Sequence, residues 1–252
     1  MNGFRLRPRL ALLIDLVLLV VIWQVAAVSL DRNFLPTPGA VVRTFFQELQ
    51  GPLLPHTWAS LRRILLSVLA GTAVAAPIAV LAAENRILDS LLSPLMYFLY
   101  PTPKIVFLPI IVFLLGLGDP SIIFLISLIV FFQVYVIVRD AVARVPQATL
   151  DSVASLGAGR WQRLRYMYLP LSVPAVFTAL KVSVGTAIAV LFIAESIGNN
   201  VGLGYYIVVD QWNRFAYQKV YAGILAIALL GSLLFGLLSW LEARSSRWQA
   251  SS

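Results

Sequence analysis

The sequence contains no cysteine and a single histidine, His56. The first absence excludes disulfides, thiolate nucleophiles and cysteine-ligated clusters, and one imidazole alone does not build a zinc site, so no metal is expected. Charge is scarce too: Asp, Glu, Lys and Arg make up 12% of the 252 residues. No pair of carboxylates lies inside an apolar run, which leaves a proton relay little to work with. There is no Gly-x-x-x-x-Gly-Lys-Ser/Thr loop, so the chain does not hydrolyse ATP by itself. With no Ser–His–Asp set either, no catalytic residues are expected, and any energy must come from a partner.

What is abundant is apolar surface. The chain is 60% hydrophobic, with a mean hydropathy of +0.88, far from the balance of a soluble domain. A polytopic, all-α membrane protein follows. The net charge of +8 would suggest nucleic acid in a soluble protein. In a membrane protein it reflects basic loops facing anionic lipid, so lipid is the expected partner and nucleic acid is not.

Arg5, Arg7 and Arg9 precede the run Leu10 to Leu30, which is long enough to span and longer than a signal-peptide core. Residues 1–35 therefore read as a cytoplasmic start and a retained first span. Over 36–58, Thr37 and Pro38 have the form of an N-cap and first helical residue. Val41, Val42, Phe45, Phe46 and Leu49 then recur at helical spacing before Gly51-Pro52. This amphipathic helix either lies at the outer face or packs on other spans. Ala59 to Ala83 form the second span, with Arg62 and Arg63 near its outer end in position to snorkel. Glu84-Asn85-Arg86 turn back in the cytoplasm. Pro94, Pro101, Pro103 and Pro109 interrupt the third span and predict a kink between Tyr100 and Lys104, beside a polar pathway or filled by a neighbouring helix. Ser121 to Val138 form the fourth span, Leu171 to Ala194 the fifth and Val220 to Leu241 the sixth, followed by a cytoplasmic tail, 242–252.

This topology has a charge test. It puts Arg5, Arg7, Arg9, Arg86, Arg139, Arg144, Arg160, Arg163, Arg165, Arg244 and Arg247 inside, and only Arg32, Arg43, Arg62, Arg63, Arg214 and Lys219 outside. The excess lies on the cytoplasmic side, as six spans with both ends inside require.

The candidate residues for a path through the membrane are the polar ones within or ending the spans: Lys104, Gln133, Lys181 and Glu195. A lysine at mid-membrane costs roughly 2.5–3.5 kcal/mol on insertion scales. Lys181 either faces an anionic solute or pairs with a helix C-terminus or with Glu195 of the partner subunit. Gly198 to Tyr206, GNNVGLGYY, is rich in glycine but has none of the context of a phosphate loop.

The longest polar interruption, 139–170, is structured. Gln147 to Leu156 has helical periodicity, Gly157 offers a left-handed end, and Arg160 to Tyr168 forms a second short helix before Pro170. Asp151-Ser152-Val153, Gly157 six positions after the acid, and Leu169-Pro170 resemble the "EAA" loop of permease subunits of binding-protein-dependent ABC importers. The surrounding LGAGRWQRLRYMYLPLSVPAVFTALKV is similar to the nitrate/sulfonate/taurine-type branch. Here Asp-Ser-Val replaces Glu-Ala-Ala, keeping the acid on a shorter stem.

The resemblance covers roughly residues 36–245 and implies a type I importer permease, with one extra N-terminal span before a five-helix core inside 59–241. It implies that Asp151, Ser152, Val153, Ser155, Leu156, Gly157 and Ala158 form the coupling helix that docks on the ATPase, and that 198–206 forms an outer re-entrant segment near the gate. It also implies a second copy of this chain, two cytoplasmic ATPase subunits that bind ATP and Mg, and a periplasmic or lipid-anchored substrate-binding protein. An ion- or proton-coupled secondary transporter and a membrane scaffold are the alternative classes. Nitrate, sulfonates, taurine, bicarbonate and pyrimidines all fit the branch as cargo.

Overall fold

A computed structural model describes residues 8–30, 34–197 and 199–245. Arg5, Arg7, Arg32, Gly198 and Arg247, used above for topology, lie outside them. The described residues form α1 (Pro8–Leu30), α2 (Pro38–Leu49), α3 (Leu53–Glu84), α4 (Arg86–Leu99), α5 (Leu108–Leu115), α6 (Asp119–Ala143), α7 (Gln147–Ser155), α8 (Arg160–Arg163), α9 (Leu169–Ser196) and α10 (Tyr217–Ser245). Five helical stretches are long and apolar enough to cross a membrane, and α4 with α5 makes a sixth if that bent pair is one span.

The centre is α3, α6 and α9. Helices α3 and α6 run parallel in a constant register. Arg63 meets Asp119, Ser67 Oγ donates to Ile123 O at 3.2 Å, and Gly71 faces Ser127, one helical turn further each time. Ser67, Gly71, Ala75 and Ala79 recur every four residues, a small-residue face that lets backbones approach closely. A Cβ at Gly71 would lie 2.6 Å from the Ser127 carbonyl oxygen, so only glycine fits there. By contrast α1 is exposed along most of its length, tied down by Trp23 Nε1 donating to Pro36 O at 3.1 Å.

Several boundaries differ from the sequence expectation. Helix α3 begins at Leu53 and not at Ala59, so it includes His56. Helix α6 continues to Ala143 because Arg139 and Asp140, which read as loop residues, are satisfied inside it: Arg139 Nε donates to Asp89 Oδ1 at 2.8 Å, fastening α4 to α6, and Nη1 donates to Asp140 at 3.1 Å. The helix starting at Arg160 does not stop before Pro170. It runs through a π-turn, Leu164–Tyr168, into α9 as one 37-residue rod. Proline at 170 lacks an N–H and crowds the carbonyl four residues back, and the wider turn relieves that clash.

The α2 alternative resolves towards packing. Thr37 caps the helix as expected, its Oγ1 accepting from Ala40 N at 3.4 Å. Val41, Thr44 and Phe45 are buried, while Val42 and Phe46 face outward. Glu48 accepts from Tyr206 Oη at 2.9 Å and pairs with Lys219 at 2.8 Å, fixing α2 to the start of α10.

The expected kink is present. Helices α4 and α5 meet at 88°. The 14 residues of α4 rise about 21 Å at 1.5 Å each, short of a ~30 Å hydrocarbon core. Pro94 is accommodated inside α4, whereas Pro101 and Pro103 fall in the break.

The close α3–α6 seam has a testable consequence. Gly71→Val should lower stability by about 1–3 kcal/mol, the usual range for overpacking, read as a lower thermal midpoint of the purified chain in detergent. Gly236→Ala, where an added Cβ meets nothing within 4 Å, should leave the midpoint unchanged. Equal midpoints for the two variants would refute the seam.

Candidate functional site

The interruption between α6 and α9 rests on the bundle through Leu150, Leu164 and Met167 and leaves the rest of its surface open. In α7 four of the polar side chains turn to their own helix: Gln147 Nε2 donates to Asp151 Oδ1 at 2.9 Å, Ser152 Oγ to Ala148 O at 2.7 Å and Ser155 Oγ to Asp151 O at 2.8 Å. Gly157, at φ +78°, ends the helix, and Ala158 N donates back to Val153 O at 3.4 Å. This is the left-handed Schellman ending that glycine serves best. The apolar residues here are not covered. Leu156 is 86% exposed, Trp161 69% and Tyr166 74%. Val153, Leu156, Ala158, Gln162, Tyr166 and Met167 surround a hollow of about 270 Å³. Arg160 and Arg163 lie 3.6 and 3.8 Å from Glu84 at the end of α3, so the α8 end of this surface is linked to the bundle.

The other four candidate residues fall in three places. Lys104 and Gln133 come together. The break in the third span exposes the last carbonyls of α4, and Lys104 Nζ donates to two of them, Leu99 O at 2.7 Å and Tyr100 O at 2.6 Å. A cation at a helix C-terminus is favoured by the dipole as well. Gln133 Nε2 reaches Thr186 Oγ1 of α9 at 3.4 Å, and a cavity of about 320 Å³ joins these side chains.

Lys181 lies apart from them and has a partner in its own chain. Its Nζ donates to Glu242 Oε2 at 2.5 Å, near the end of α10, and Thr178 Oγ1 donates to Glu242 Oε1 at 3.2 Å. The rod that carries Lys181 starts at Arg160, so the lysine stands level with the closing turns of α10 rather than deep in the span.

Glu195 is fully buried. Ser60 Oγ lies 2.8 and 2.9 Å from its two carboxylate oxygens, Arg63 Nη1 donates at 2.6 Å and Gly204 N at 3.0 Å. Arg63, 1% exposed, also donates to Val201 O at 2.8 Å and through Nε to Asp119 Oδ1 at 2.7 Å. It does not snorkel, because three acceptors meet it inside the protein; only Arg62 stays at the surface, paired with Asp119. Leu203 N donates to Ser60 Oγ at 2.8 Å, and Gly202 N to His56 Nδ1 at 3.0 Å, which puts the imidazole proton on Nε2. The glycine-rich stretch is thus a cradle for a carboxylate. A Cβ on Gly202 (φ +130°) would stand 2.3 Å from Glu195 Cδ, and one on Gly204 would stand 2.2 Å from Phe192 O. Sequence reasoning missed His56, Ser60 and Arg63 as one unit. The available signal was their spacing of four and three residues, a polar stripe on one face of an apolar helix.

Among the described residues, no three His, Asp or Glu side chains gather to hold a metal. The pairing of Lys181 predicts that Lys181→Met lowers the folded yield, since half-buried Glu242 loses its counter-ion and keeps only the Thr178 hydroxyl, a cost of about 1–3 kcal/mol. Adding Glu242→Met should restore it. A single variant that purifies like wild type would contradict a structural pair.

Comparison with known proteins bears on the whole arrangement. Residues 67–247 match the family described as "Binding-protein-dependent transport system inner membrane component". The taurine transport system permease protein TauC of Escherichia coli (strain K12) is 32% identical over 92% of this chain and 86% of its own length. The riboflavin transport system permease protein RibX of Chloroflexus aurantiacus is 29% identical over 97% and 92%. In the solved structures, a chain of the inward-facing MetNI methionine ABC transporter superposes with a TM-score of 0.67 at 17% identity, covering 78% of this chain and 97% of that one, a likeness of fold. The apolar rods, the exposed loop between α6 and α9 and the extent of these matches lead to one assignment: the chain belongs to the binding-protein-dependent transport system inner membrane components, and it is a non-enzymatic permease subunit of an ABC importer.

Proposed function

We propose that two copies of this chain form the translocation path of an importer in the bacterial cytoplasmic membrane, with both termini of each copy in the cytoplasm. Two ATPase subunits dock on the α7–α8 surfaces and hold the ATP and Mg. A separate binding protein, periplasmic or lipid-anchored, delivers a small anionic solute at the opposite face. ATP draws the two α7 helices together and opens the spans outward; hydrolysis returns them. Lipid surrounds the assembly.

The observation that carries this reading is the α7–Gly157–α8 surface. Exposed Leu156 at the end of α7, with exposed Trp161 and Tyr166 at the start of the rod that continues into α9, forms an apolar surface suited to a protein cover. The excess of arginine on the loop side of the spans supports a cytoplasmic location for that surface, where ATP is. Residues Asp151, Ser152, Val153, Ser155, Leu156, Gly157 and Ala158 are the docking element, and α8 continues into α9 without a break, so a push on the loop reaches the spans. A second copy is supported by the exposed face of α9. Thr178, Gly185, Thr186 and Ala189, which flank exposed Val182, are small or polar, a composition suited to helix contact or a path more than to lipid. The anionic cargo is supported by the taurine-transport relative and by the lysine at the cavity.

Gly157→Val places a Cβ in the left-handed region at a cost of about 1–2 kcal/mol. That is too little to unfold the bundle and enough to change a docked population roughly 5–30-fold. Asp151→Lys reverses the charge of the docking helix. Both variants should insert and dimerise normally, and both should lose most substrate-stimulated ATP hydrolysis in the reconstituted complex at equal subunit loading. Wild-type stimulation in both would remove the loop as the coupling element.

A further inference from the structure

Cations lodged among the spans are paired with one exception. Arg63 faces Glu195 and Asp119, Arg139 faces Asp89 and Asp140, and Lys181 faces Glu242. Lys104 meets no carboxylate among the described residues. It is 8% exposed, its Nζ lies 4.6 Å from the centroid of the Phe132 ring, and two of its three N–H donors go to the Leu99 and Tyr100 carbonyls. A buried ammonium without a counter-ion is unfavourable, and an aromatic face offsets only part of that. The same cavity holds a second unmet group. Gln133 Oε1 is buried and has no hydrogen-bond partner among the described residues. The cavity, about 320 Å³, is also lined by Thr102, Ile129, Thr186 and Val190. At ~30 Å³ per water it has room for one small organic molecule.

We infer that this cavity is a transit site for a small organic anion that also carries a hydrogen-bond donor, the anionic group on the Lys104 ammonium and the donor on Gln133 Oε1. The inference rests on the permease reading and adds to it the chemistry that the path itself selects. Binding here is weak, as passage requires a site that releases what it admits. The proline break is what creates the site: it frees the carbonyls that hold Lys104 at this depth, and it leaves the lysine one donor for a passing anion.

The natural lack of cysteine allows a direct test on the full chain in its complex. Thr102→Cys puts a thiol in the cavity, and Asn200→Cys puts one on the exposed outer loop as a reference. Each is treated with 2-sulfonatoethyl methanethiosulfonate, an anion, and with its trimethylammonium counterpart, a cation. The ratio of anionic to cationic rates should be about tenfold higher at Thr102→Cys than at Asn200→Cys. Adding Lys104→Met should abolish the excess. If that variant does not fold, Lys104→Gln, which keeps N–H donors for the carbonyls, should do the same. Isethionate should protect the thiol at roughly fivefold lower concentration than ethanesulfonate, which differs only by the missing hydroxyl. Gln133→Leu should make the two equal. An equal ratio at the two cysteines, or an excess that survives loss of the ammonium, would overturn the site. Equal protection by the two sulfonates in the unmodified cavity would overturn the role of Gln133. Neither rate involves ATP, so a failure of ATPase coupling leaves this result unchanged, and failure here leaves the coupling reading intact.

Discussion

The buried ion pair between Arg63 and Glu195 is the contact on which the half of the protein remote from the α7–α8 loop depends. Both side chains are almost wholly removed from solvent, and transferring two charges out of water is unfavourable unless each finds full hydrogen bonding. Here each does. The carboxylate collects Ser60, Arg63 and the Gly204 amide; the guanidinium collects Glu195, Asp119 and the Val201 carbonyl. One pair thereby joins α3, the start of α6, the end of α9 and the glycine-rich connection to α10. Removing Arg63 leaves Glu195 buried without a counter-ion, a loss of about 3–5 kcal/mol, whereas removing Glu195 leaves Arg63 its second carboxylate, Asp119. Such a contact specifies an arrangement more than it stabilises one.

From that contact the structure divides into stiff and compliant parts. The parallel α3–α6 seam tolerates no Cβ at Gly71, and α9 continues into α8 as a single rod. Force applied at α8 therefore has a continuous helical path to Glu195 at the far end of α9. The third span is the exception. Its two halves are joined by a proline-containing turn held by the side chain of Lys104 and fastened to α6 by the Asp89–Arg139 pair. A segment with fewer backbone hydrogen bonds beside a polar cavity is where a bundle of otherwise rigid rods can adjust to a passing solute. The features that interrupt helix regularity, the prolines near Lys104 and the glycines near Glu195, coincide with two of the polar centres among the spans.

The spans, the kink between Tyr100 and Lys104, the Thr37 cap and the left-handed ending at Gly157 were legible in the sequence, because each depends on local chemistry: apolar run length, missing N–H groups, a hydroxyl before proline, a residue without Cβ. The family likeness of the loop was legible for the same reason, as spacing along one segment. What was not legible is long-range pairing. Lys181 and Glu242 are 61 residues apart and Arg63 and Glu195 are 132 apart, and nothing in either neighbourhood names the partner. Arg63 read as a snorkelling residue because its exposure depends on which helix covers it. The fifth span read as starting at Leu171, after Pro170, because proline usually opens a helix; here a π-turn absorbs it.

The central claim is that the exposed loop and the outer connection are opposite ends of one lever, duplicated in a symmetric pair and moved by ATP. Pulsed electron paramagnetic resonance on the assembled complex measures this directly, with single spin labels at Ser155→Cys or Asn200→Cys reporting the distance between the two copies. On trapping the ATP-bound state, the Ser155 distance should shorten and the Asn200 distance should lengthen. Absence of any inter-copy distance, or two distances that ignore ATP, would contradict the account.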